Sequence, residues 1–550
     1  MNGAQALMRT LVDAGVTVCF TNPGTSEMHF VAALDAEPRM RAVLTLFEGV
    51  ATGAADGYAR MTDRPAATLL HLGCGLGNGL ANLHNARRAH VPLLNIVGDH
   101  ATHHAPLDAP LQSDIETVAR AVSGWWRTCR HPQELGQLAA QALAAAQQPP
   151  GQVATLILPA DVSWGEGAEP APPPPPLAPM PVEDDRLEQV ARALASGEPA
   201  ALLLGGRALR AAAQLDAARV AAACGARLLA ETFPARIERG AGLPPLPRLA
   251  YLAELAGTQL RGLRHLVLVG ARAPVSFFAY PGKPGSLVPP GCTVHTLAAP
   301  QEDAADALQR LAQRLRAPAR APMVWPLRQV PRPRGRLSPA SVARAVAHVL
   351  PPDAILVDES QTTGVLLPHF TRTAPRHDVL TLTGGAIGQG LPNAVGAAIA
   401  CPGRPVLALV GDGAAMYTPQ ALWTMAREGL HVVTVVLNNR AYAILNLELR
   451  RTGAVGDGRR ARAQFDLAQP PLDFVALAQG MGVPAQRVAT AEALQEALAR
   501  ALAAPGPHLI EAVLPSTMRG VRLRLLPYVL GLLPSLPAAV ARGVQRAVAP

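Results

Sequence analysis

Short apolar runs alternate along the chain with longer stretches rich in Ala, Leu and Arg. Runs such as 66–72, 200–204 and 432–437 are mostly apolar and do not alternate with polar positions, which is typical of strands buried on both faces of a parallel sheet. The stretches between the runs have helical length and apolar spacing. This order predicts the α/β class, with three doubly wound parallel-sheet domains in series.

Two proline-rich segments divide the chain, because proline is excluded from helix interiors and central strands and favours extended spacers. The predicted division is a first unit at 1–169, a linker at 170–181, a central unit at 182–316, a second linker at 317–336, a third unit at 337–516 and a C-terminal tail at 517–550.

The tail contains an apolar stretch, 525–540, which is interrupted by three prolines and is shorter than the roughly 18 residues of a membrane-spanning helix. A transmembrane helix and membrane association are therefore not expected. The arginines that flank the stretch leave an interfacial or lid role open. We expect the tail to dock on a neighbouring subunit.

Charge excludes several classes of function. The chain has 49 Lys+Arg against 40 Asp+Glu, and Lys283 is its only lysine. It therefore has no GxxxxGK phosphate loop and no suitable Schiff-base lysine for pyridoxal phosphate. The arginines are scattered, which predicts a solvated surface and no nucleic-acid partner. Six isolated cysteines and the absence of a signal-like N-terminus favour a cytoplasmic location.

The third unit carries the most specific motifs. A predicted strand at 405–410 runs into Gly411-Asp412-Gly413, and the next, at 432–437, runs into Asn438-Asn439. Ligands of open α/β sheets bind at the carboxyl ends of the strands, where both motifs lie. A turn and a loop would explain each motif separately. Together, their carboxylate and amide oxygens are suited to Mg²⁺ that also binds phosphate.

This pair of motifs resembles the diphosphate-binding motif of thiamine-diphosphate enzymes. The resemblance implies that Asp412, Asn439 and the carbonyl of Ala441 bind Mg²⁺. It also implies that the backbone amides of Gly413 and Ala414 face the cofactor's diphosphate.

Two upstream segments extend the resemblance. Gln361 and Thr362 match positions that contact the diphosphate in the benzoylformate-decarboxylase branch. In the glycine loop 384–390, the bulky Ile387 matches the residue that bends the cofactor into a V. The carbonyl of Gly385 matches the acceptor of a hydrogen bond from the aminopyrimidine. A tight loop that enters a helix explains the glycines but does not explain the isoleucine.

The first unit contains a candidate acid. Glu48 precedes a predicted helix of small residues, where the helix dipole alone would stabilise a glutamate by about 0.3–1 kcal/mol. The segment 47–60, FEGVATGAADGYAR, resembles the family's glutamate motif. The resemblance implies that Glu48 bonds to the aminopyrimidine ring and favours the tautomer that activates the cofactor.

Two loops of the first unit resemble substrate-contacting segments of the family. Segment 21–27 resembles the NPG loop, and 70–78 resembles the glycine loop that covers the pyrimidine. Thr25 and His71 match a serine and a histidine that bind substrate and relay protons in the benzoylformate-decarboxylase branch, a role suited to imidazole. A structural, hydrogen-bonded histidine is an equally good explanation of His71.

Three histidines, His100, His103 and His104, follow the strand predicted at 92–97. No cysteine lies near them, so we expect them to line the mouth of the pocket rather than bind zinc.

The central unit leaves a flavin open. Segments 205–207 and 269–272 resemble strand-end turns of the family's central domain, which binds FAD in the acetolactate-synthase and pyruvate-oxidase branches. Phe277 or Phe278 takes the place of a second catalytic histidine of the decarboxylase branch. Phe47 stands where the acetolactate-synthase branch usually has histidine. The phenylalanine at 277 or 278 weakens the assignment to the decarboxylase branch, and Phe47 weakens the assignment to the acetolactate-synthase branch.

The resemblance, to both the acetolactate synthase large subunit and benzoylformate decarboxylase, covers about 1–515. It implies a thiamine-diphosphate- and Mg²⁺-dependent enzyme that decarboxylates a 2-oxo acid and transfers the acyl-anion equivalent to a second carbonyl. The alternatives are a simple decarboxylase, a flavin-dependent oxidase and a non-catalytic cofactor-binding regulator. Members of the family are homodimers or homotetramers with the active site at the subunit interface, so we expect the same here.

Overall fold

The computed structural model describes residues 1–175, 177–454 and 458–515, together with Leu533, Leu536, Pro537 and Val540. It confirms the α/β class and the three parallel sheets.

The first unit is a six-stranded parallel sheet of order β2-β1-β3-β4-β6-β5. Its strands are β1 (Val18–Asn22), β2 (Arg41–Leu44), β3 (Ala66–Leu70), β4 (Leu93–Asp99), β5 (Trp125–Thr128) and β6 (Val153–Pro159). Its helices are α1 (Gly3–Asp13), α2 (Met28–Ala33), α3 (Glu48–Thr62), α4 (Leu72–Ala89), α5 (Ile115–Val122), α6 (Leu135–Gln147) and α7 (Ala160–Trp164). Strands β3 and β6 are buried along their whole length, as their mostly apolar sequences predict.

The central unit has a four-stranded parallel sheet of order β11-β10-β7-β8. The strands of this unit are β7 (Ala200–Leu204), β8 (Arg227–Ala230), β9 (Arg236–Arg239), β10 (His265–Val269) and β11 (Thr293–Ala298). Its helices are α8 (Asp184–Ala195), α9 (Ala211–Cys224), α10 (Ala253–Leu260) and α11 (Ala304–Arg314).

The third unit has a seven-stranded sheet of order β16-β17-β15-β14-β12-β13-β9. Its own strands are β12 (Ala354–Glu359), β13 (His377–Thr381), β14 (Val406–Gly411), β15 (Val432–Asn438), β16 (Ala485–Val488) and β17 (His508–Val513). Its helices are α12 (Pro339–Val349), α13 (Leu367–Thr371), α14 (Gly390–Ala400), α15 (Asp412–Ala415), α16 (Gln420–Arg427), α17 (Ala443–Arg451), α18 (Arg459–Ala463), α19 (Phe474–Gly480) and α20 (Ala491–Ala503).

The sheets are not fully separate, because β9 leaves the central unit and pairs antiparallel with β13 of the third. Side chains hold this crossing in place. Arg236 binds Asp378 at 2.5 Å, and the buried Arg60 of α3 pairs with Asp56 and donates to the Thr381 carbonyl at 2.7 Å. Arg60 also donates to the Ala235 carbonyl at 3.1 Å, so one buried, paired guanidinium contacts all three units.

Helices α3 and α14 pack almost backbone to backbone. A Cβ on Gly57 would lie 2.3 Å from the carbonyl oxygen of Asn393, and one on Gly396 would lie 1.9 Å from that of Ala54. Only glycine allows this approach. The small residues of segment 47–60 therefore pack the first unit against the third.

Helices α12 and α16 begin in different ways, although a hydroxyl residue followed by proline precedes or opens each of them. Ser338 caps α12, with Pro339 at its first position. Thr418 does not cap α16: its hydroxyl donates instead to the carbonyl of Gly388 at 2.9 Å, and Pro419 precedes the helix. A tertiary hydrogen bond has replaced the local cap.

The predictions for the tail fall mostly outside the described residues. Leu533 and Leu536 are described, and Arg261 at the end of α10 donates to both of their carbonyls at 2.7 Å. Among the helices that the structure describes, none combines the length and the apolar character needed to cross a bilayer.

Candidate active site

Asp412 stands at the end of β14 and is only 4% exposed. Its Oδ1 accepts the Gly413 amide at 2.8 Å, and its Oδ2 accepts the Arg440 amide at 2.6 Å. Burial raises the pKa of Asp412, while the backbone amides oppose that rise. The carboxylate is thus held in one orientation at the sheet edge.

The loop after β15 faces Asp412. Asn439 Oδ1 accepts the Ala441 amide at 2.9 Å, and the Ala441 carbonyl accepts the Ala443 amide at 2.8 Å. Asn438 has a structural role, since its Nδ2 donates to the buried Glu511 at 2.7 Å. The two predicted side-chain ligands, on Asp412 and Asn439, therefore lie on adjacent strands of one sheet.

These groups fit the predicted Mg²⁺ and diphosphate. A carboxylate, a carboxamide and a backbone carbonyl are all hard oxygen donors, as Mg²⁺ prefers. Residue 413 must be glycine, because a Cβ there would lie 2.3 Å from the Tyr442 ring. Its backbone, next to the buried Ala414, therefore carries no side chain. Within the described residues, no group of three or more His, Cys, Asp or Glu side chains is placed to hold a metal.

Gln361 and Thr362 follow β12, next to the same edge. Gln361 is exposed and has a φ of +51°, and its Cγ lies 4.0 Å from where a Cβ on Gly411 would stand. Thr362 is half-buried. The structure therefore brings Gln361 alongside the GDG turn, where a diphosphate contact was predicted.

Sequence reasoning missed the role of Glu359, the last residue of β12. Its carboxylate accepts the amides of Gly388 at 2.7 Å, Gln389 at 3.2 Å and Gly390 at 2.7 Å. Burial raises its pKa to about 7, against the opposing effect of these amides. The sequence signal that could have revealed this role is an acidic residue at a strand end in the unit that also contains the glycine loop.

The glycine loop itself is held from both sides. Asn85 of α4 donates to the Ala386 carbonyl at 2.8 Å and accepts the Ala386 amide at 3.3 Å. Gly385 and Gly388 have φ values of +80° and +97°, which favour glycine. Ile387 between them is partly buried against the core, so its side chain is presented by a braced loop.

Glu48 begins α3 and is 5% exposed. Asn78 Nδ2 donates to its Oε2 at 3.0 Å, and a Cβ on Gly75 would lie 2.8 Å from its Oε1. The predicted glycine loop at 70–78 is wrong in its secondary structure, because α4 already begins at Leu72. Gly75 in this segment, and Gly79 just after it, instead allow helix α4 to pack against α3, since a Cβ on Gly79 would lie 2.8 Å from the Thr52 side chain.

His71 stands just before α4 and is bound to a buried acid. Its Nδ1 lies 2.8 Å from Oε2 of Glu27, which is 2% exposed and also accepts the Gly24 amide at 2.7 Å. Ser26 Oγ donates to Glu27 Oε1 at 2.7 Å and lies 3.4 Å from His71 Nδ1. Thr25 is exposed, so the structure brings Ser26 and Glu27, rather than Thr25, to His71.

The histidine cluster lies in a turn after β4. The rings of His100 and His104 are 5.4 Å apart, and His103 is exposed and lies 3.9 Å from Asp161.

An aromatic cluster of the central unit faces the glycine loop. The Phe277 ring would lie 2.6 Å from a Cβ on Gly385, and it contacts the rings of Phe233, Tyr251 and Phe278. Burial raises the pKa of Tyr251 further above neutrality. The wall beside the Gly385 carbonyl is thus apolar.

Helix α4 contacts both the first and the third unit of the chain. Asn82 Nδ2 donates to the Gly49 carbonyl at 2.8 Å and to the Gly388 carbonyl at 3.3 Å. The start of α3 and the glycine loop therefore share one bracing side chain.

Comparisons with known proteins agree with this geometry. Residues 1–119 match the model of the N-terminal TPP-binding domain of thiamine pyrophosphate enzymes, and 358–512 match the model of the C-terminal one. The chain is 59% identical over 518 residues to a Mycobacterium tuberculosis H37Rv protein named as an acetolactate synthase large subunit, IlvX, covering 94% of this chain and 99% of the relative. The chain belongs to the thiamine-pyrophosphate enzyme family.

Other members of the family are more distant. A Pseudomonas aeruginosa benzoylformate decarboxylase is 32% identical, with 90% of this chain and 96% of the relative covered. The solved structure of a Rhodococcus jostii RHA1 thiamine-diphosphate-dependent 4-hydroxybenzoylformate decarboxylase superposes with a TM-score of 0.80 at 27% identity, covering 94% of this chain and 99% of that one. The predicted family, its thiamine-diphosphate-binding domains and its fold are thus confirmed.

Proposed function

We propose that this thiamine-pyrophosphate enzyme requires Mg²⁺, decarboxylates a 2-oxo acid and joins the resulting acyl-anion equivalent to a second carbonyl. Bound thiamine diphosphate would supply a nucleophilic carbon that adds to the 2-oxo acid. The cofactor would also act as the sink for the electron pair that is left when CO₂ departs. Asp412, Asn439 and the Ala441 carbonyl would hold Mg²⁺ and, through it, the diphosphate.

The chain's own residues have distinct tasks. Glu48 would bond to the aminopyrimidine and hold the proton at that ring, with Asn78 fixing one of its oxygens. Ile387 would set the angle between the two rings. His71, oriented by Glu27, would move a proton at the substrate, because an imidazole held by a carboxylate keeps one ring nitrogen for exchange.

The observation that carries carboligation is the aromatic cluster beside Gly385. The decarboxylase branch has a second catalytic histidine in this region, in addition to the residue matched by His71. Here the cluster of Phe233, Tyr251, Phe277 and Phe278 takes its place and adds no group that titrates near neutral pH. It offers instead an apolar surface against which a second carbonyl compound can lie. The relative named as an acetolactate synthase large subunit supports the same conclusion.

A simple decarboxylase of the benzoylformate type is the second candidate. The Ser26, Glu27 and His71 arrangement favours it, because a hydroxyl next to a carboxylate-bound imidazole is a proton-relay geometry. The decarboxylase names of two similar proteins also support it.

A panel of 2-oxo acids, with thiamine diphosphate and Mg²⁺, separates the two candidates. CO₂ release and product mass are measured for each acid alone and for each with a second aldehyde or 2-oxo acid. We expect 2-hydroxy ketones or acetohydroxy acids. Aldehyde as the sole product, for example acetaldehyde without acetolactate from pyruvate, would contradict carboligation.

We also propose a homodimer or homotetramer with the active site shared between subunits. Glu48→Gln and Asp412→Asn can test this proposal when the two inactive variants are mixed after reversible dissociation. If each site takes Glu48 from one subunit and Asp412 from the other, half the sites of each mixed dimer are intact, and about a quarter of the activity returns. If each site is built within one chain, mixing the two variants would restore no activity.

A further inference from the structure

The aromatic hairpin, residues 275–286, belongs to the central unit and presents Phe277 to Gly385. It folds back on itself through an antiparallel bridge between Val275 and Ser286. A hairpin of two strands is only marginally stable by itself in water, so its position depends on the contacts that anchor it.

The hairpin is exposed except at one residue that enters the protein interior. Within 275–286, all of which the structure describes, Tyr280 is the only buried residue. Its ring lies 4.1 Å from the guanidinium carbon of Arg451, on α17. The aromatic hairpin thus has no core of its own and is held where Tyr280 is buried.

Tyr280 enters a buried network of charges. Its hydroxyl donates to Glu448 Oε2 at 2.7 Å and accepts a hydrogen bond from Arg451 Nη1 at 2.8 Å. Arg451, whose side chain is 2% exposed, also binds Glu448 at 2.8 Å and Glu254 at 3.0 Å. Lys283, a second anchor of the hairpin, pairs with Glu254. Two carboxylates therefore balance two cations in this network.

The network joins three elements that are distant along the chain. Glu254 lies on α10, Tyr280 and Lys283 lie on the aromatic hairpin, and Glu448 and Arg451 lie on α17. Burial raises the pKa of Tyr280 to about 12, so its hydroxyl stays protonated and remains a donor to Glu448. Loss of one partner from such a network is costly, because it leaves a buried charge uncompensated. The network therefore favours a single position of the hairpin.

Helix α17 carries this anchor next to the proposed cofactor site. The helix begins at Ala443, two residues after the proposed Mg²⁺ ligand Ala441, and ends at Arg451. A Cβ on Gly453 would lie 3.7 Å from Pro281 Cγ, so the turn after the helix also lies against the hairpin. The proposed metal loop and the aromatic hairpin are thus attached to opposite ends of one helix.

A second phenol connects the network to the apolar wall of the site. The Tyr251 ring lies 5.3 Å from the Phe277 ring, and the Tyr251 hydroxyl donates to Glu448 Oε1 at 3.3 Å. Phe277 in turn packs against the backbone of Gly385. The place of Phe277 therefore depends on α17 through two tyrosines, Tyr251 and Tyr280.

We propose that Arg451, Glu254 and Lys283 are positioning residues that hold the aromatic hairpin against Gly385, and that the hairpin so held sets the fit of the second carbonyl compound. A displacement of about 1 Å in a wall of this kind is enough to impair productive binding. The effect on the second carbonyl compound rests on the proposed function, whereas the anchoring of the hairpin does not. The proposal also gives a role to the only lysine of the chain.

The anchoring is tested by hydrogen–deuterium exchange of the purified full-length protein without thiamine diphosphate. Arg451→Lys keeps one positive charge, but an ammonium group does not offer the planar fork that binds Tyr280, Glu448 and Glu254 together. We expect the amides of 276–287 to exchange about tenfold faster or more, because charge-assisted hydrogen bonds are lost. Tyr280→Phe, which keeps every charge and the ring, is the second variant and serves if Arg451→Lys does not fold.

Arg310→Lys is the matched control. Arg310 is also shared by two carboxylates, Asp184 at 2.9 Å and Asp306 at 3.0 Å, but it lies on α11 and outside the network. This variant loses the same planar fork, and exchange in the hairpin should remain at the wild-type rate. Lys283→Arg and Lys283→Met form a graded pair: the first keeps the charge beside Glu254 and should keep exchange slow, and the second should accelerate it.

The effect on fit is measured by kinetics with thiamine diphosphate and Mg²⁺. The first substrate is the 2-oxo acid that releases most CO₂ in the panel, and the second is benzaldehyde or acetaldehyde. In Arg451→Lys and Lys283→Met, KM for the aldehyde should rise by about tenfold, while kcat for CO₂ release should stay within about threefold of wild type. A merely structural loss would lower both activities in parallel, and Lys283→Arg should restore the wild-type KM.

Three results would overturn the proposal: unchanged exchange of the hairpin in both Arg451→Lys and Tyr280→Phe, equal acceleration in Arg310→Lys, or a parallel loss of CO₂ release and of aldehyde use. The two failures can be told apart. If the wild-type protein forms aldehyde and no ligation product, the proposed function and the effect on the second carbonyl compound are both refuted. Faster exchange of the hairpin in Arg451→Lys would still support the anchor.

Discussion

The first and third units hold the carboxylates around the candidate active site in different ways. In the first unit the partners include side chains: His71 and Ser26 bind Glu27, and Asn78 binds Glu48. In the third unit the partners are backbone amides: Gly413 and Arg440 for Asp412, and those of 388–390 for Glu359.

This difference separates two tasks. A side-chain partner such as imidazole can exchange protons and change its charge, so the first unit is equipped to move protons. A backbone amide can do neither, but it fixes the position of a charge because it belongs to a rigid sheet edge. Substitutions in the first unit should therefore reduce turnover, and substitutions in the third should reduce cofactor affinity or loop stability.

The largest expected effect is that of Glu48→Gln. The amide is nearly isosteric but cannot hold the proton at the aminopyrimidine, so kcat should fall by about 10²–10⁴. The Kd of thiamine diphosphate, measured by tryptophan fluorescence, should change little. Full activity, or loss of cofactor binding with residual kcat intact, would contradict the division between the units.

Asp412→Asn should produce the opposite pattern. It removes the one charged ligand of the proposed metal site, and we expect Mg²⁺-dependent cofactor affinity to fall by about 10–100-fold or more. Saturating cofactor should restore part of the turnover. As a control, wild-type enzyme treated with EDTA should lose cofactor in the same way. An unchanged Kd in both experiments would remove the metal assignment.

The third effect concerns the proton relay. Glu27→Gln should lower kcat by about 10–100-fold, because His71 loses the partner that orients its ring. A kcat equal to that of wild type would mean that Glu27 has no role in the relay.

Ser26 and Thr25 provide a sharper version of the same test. Ser26 lies beside Glu27 and His71, whereas Thr25 is exposed. Ser26→Ala should therefore reduce kcat several-fold more than Thr25→Ala. Equal effects, or a larger one for Thr25, would favour the assignment made by sequence resemblance.

The sequence predicted features that depend on local order. Asp412 and Asn439 could be placed because each directly follows an apolar strand, and parallel strands end at one edge. Glu48 could be placed at the start of its helix from the residues, but its role was predicted only from the resemblance of 47–60 to the family's glutamate motif. The pairing of β9 with a strand of another sheet was not predicted, because the sequence of a short strand does not indicate which strand it pairs with.

Partners distant along the chain were also missed. Glu27 reaches His71 across 44 positions, and Glu359 holds amides 29–31 positions away. Their roles depend on tertiary packing. Segment 70–78 was assigned to a loop from its resemblance to the family's glycine loop. Glycine is a poor helix former, but in the structure the close packing of Gly75 on Glu48 and of Gly79 on Thr52 outweighs that preference.

Glu359→Gln should have the smallest effect and tests the rigid side of the comparison. Burial raises the pKa of Glu359 to about 7, above its ordinary value of 4.5, so the folded protein binds more protons than the unfolded chain between these values. Its contribution to stability is therefore complete below about pH 4.5 and is lost as the pH rises through about 7.

The Tm of the wild-type protein should fall between about pH 5.5 and about pH 8. The Tm of Glu359→Gln, which has no carboxyl to titrate there, should fall by a few degrees less. Burial also raises the pKa of Asp412, so Asp412 contributes to the pH dependence of Tm in the same direction. The Tm of Asp412→Asn is therefore measured over the same pH range to separate the two contributions. Identical slopes in wild type and Glu359→Gln would show that the carboxylate beneath the glycine loop does not titrate, and that the 388–390 amides bind a permanent charge.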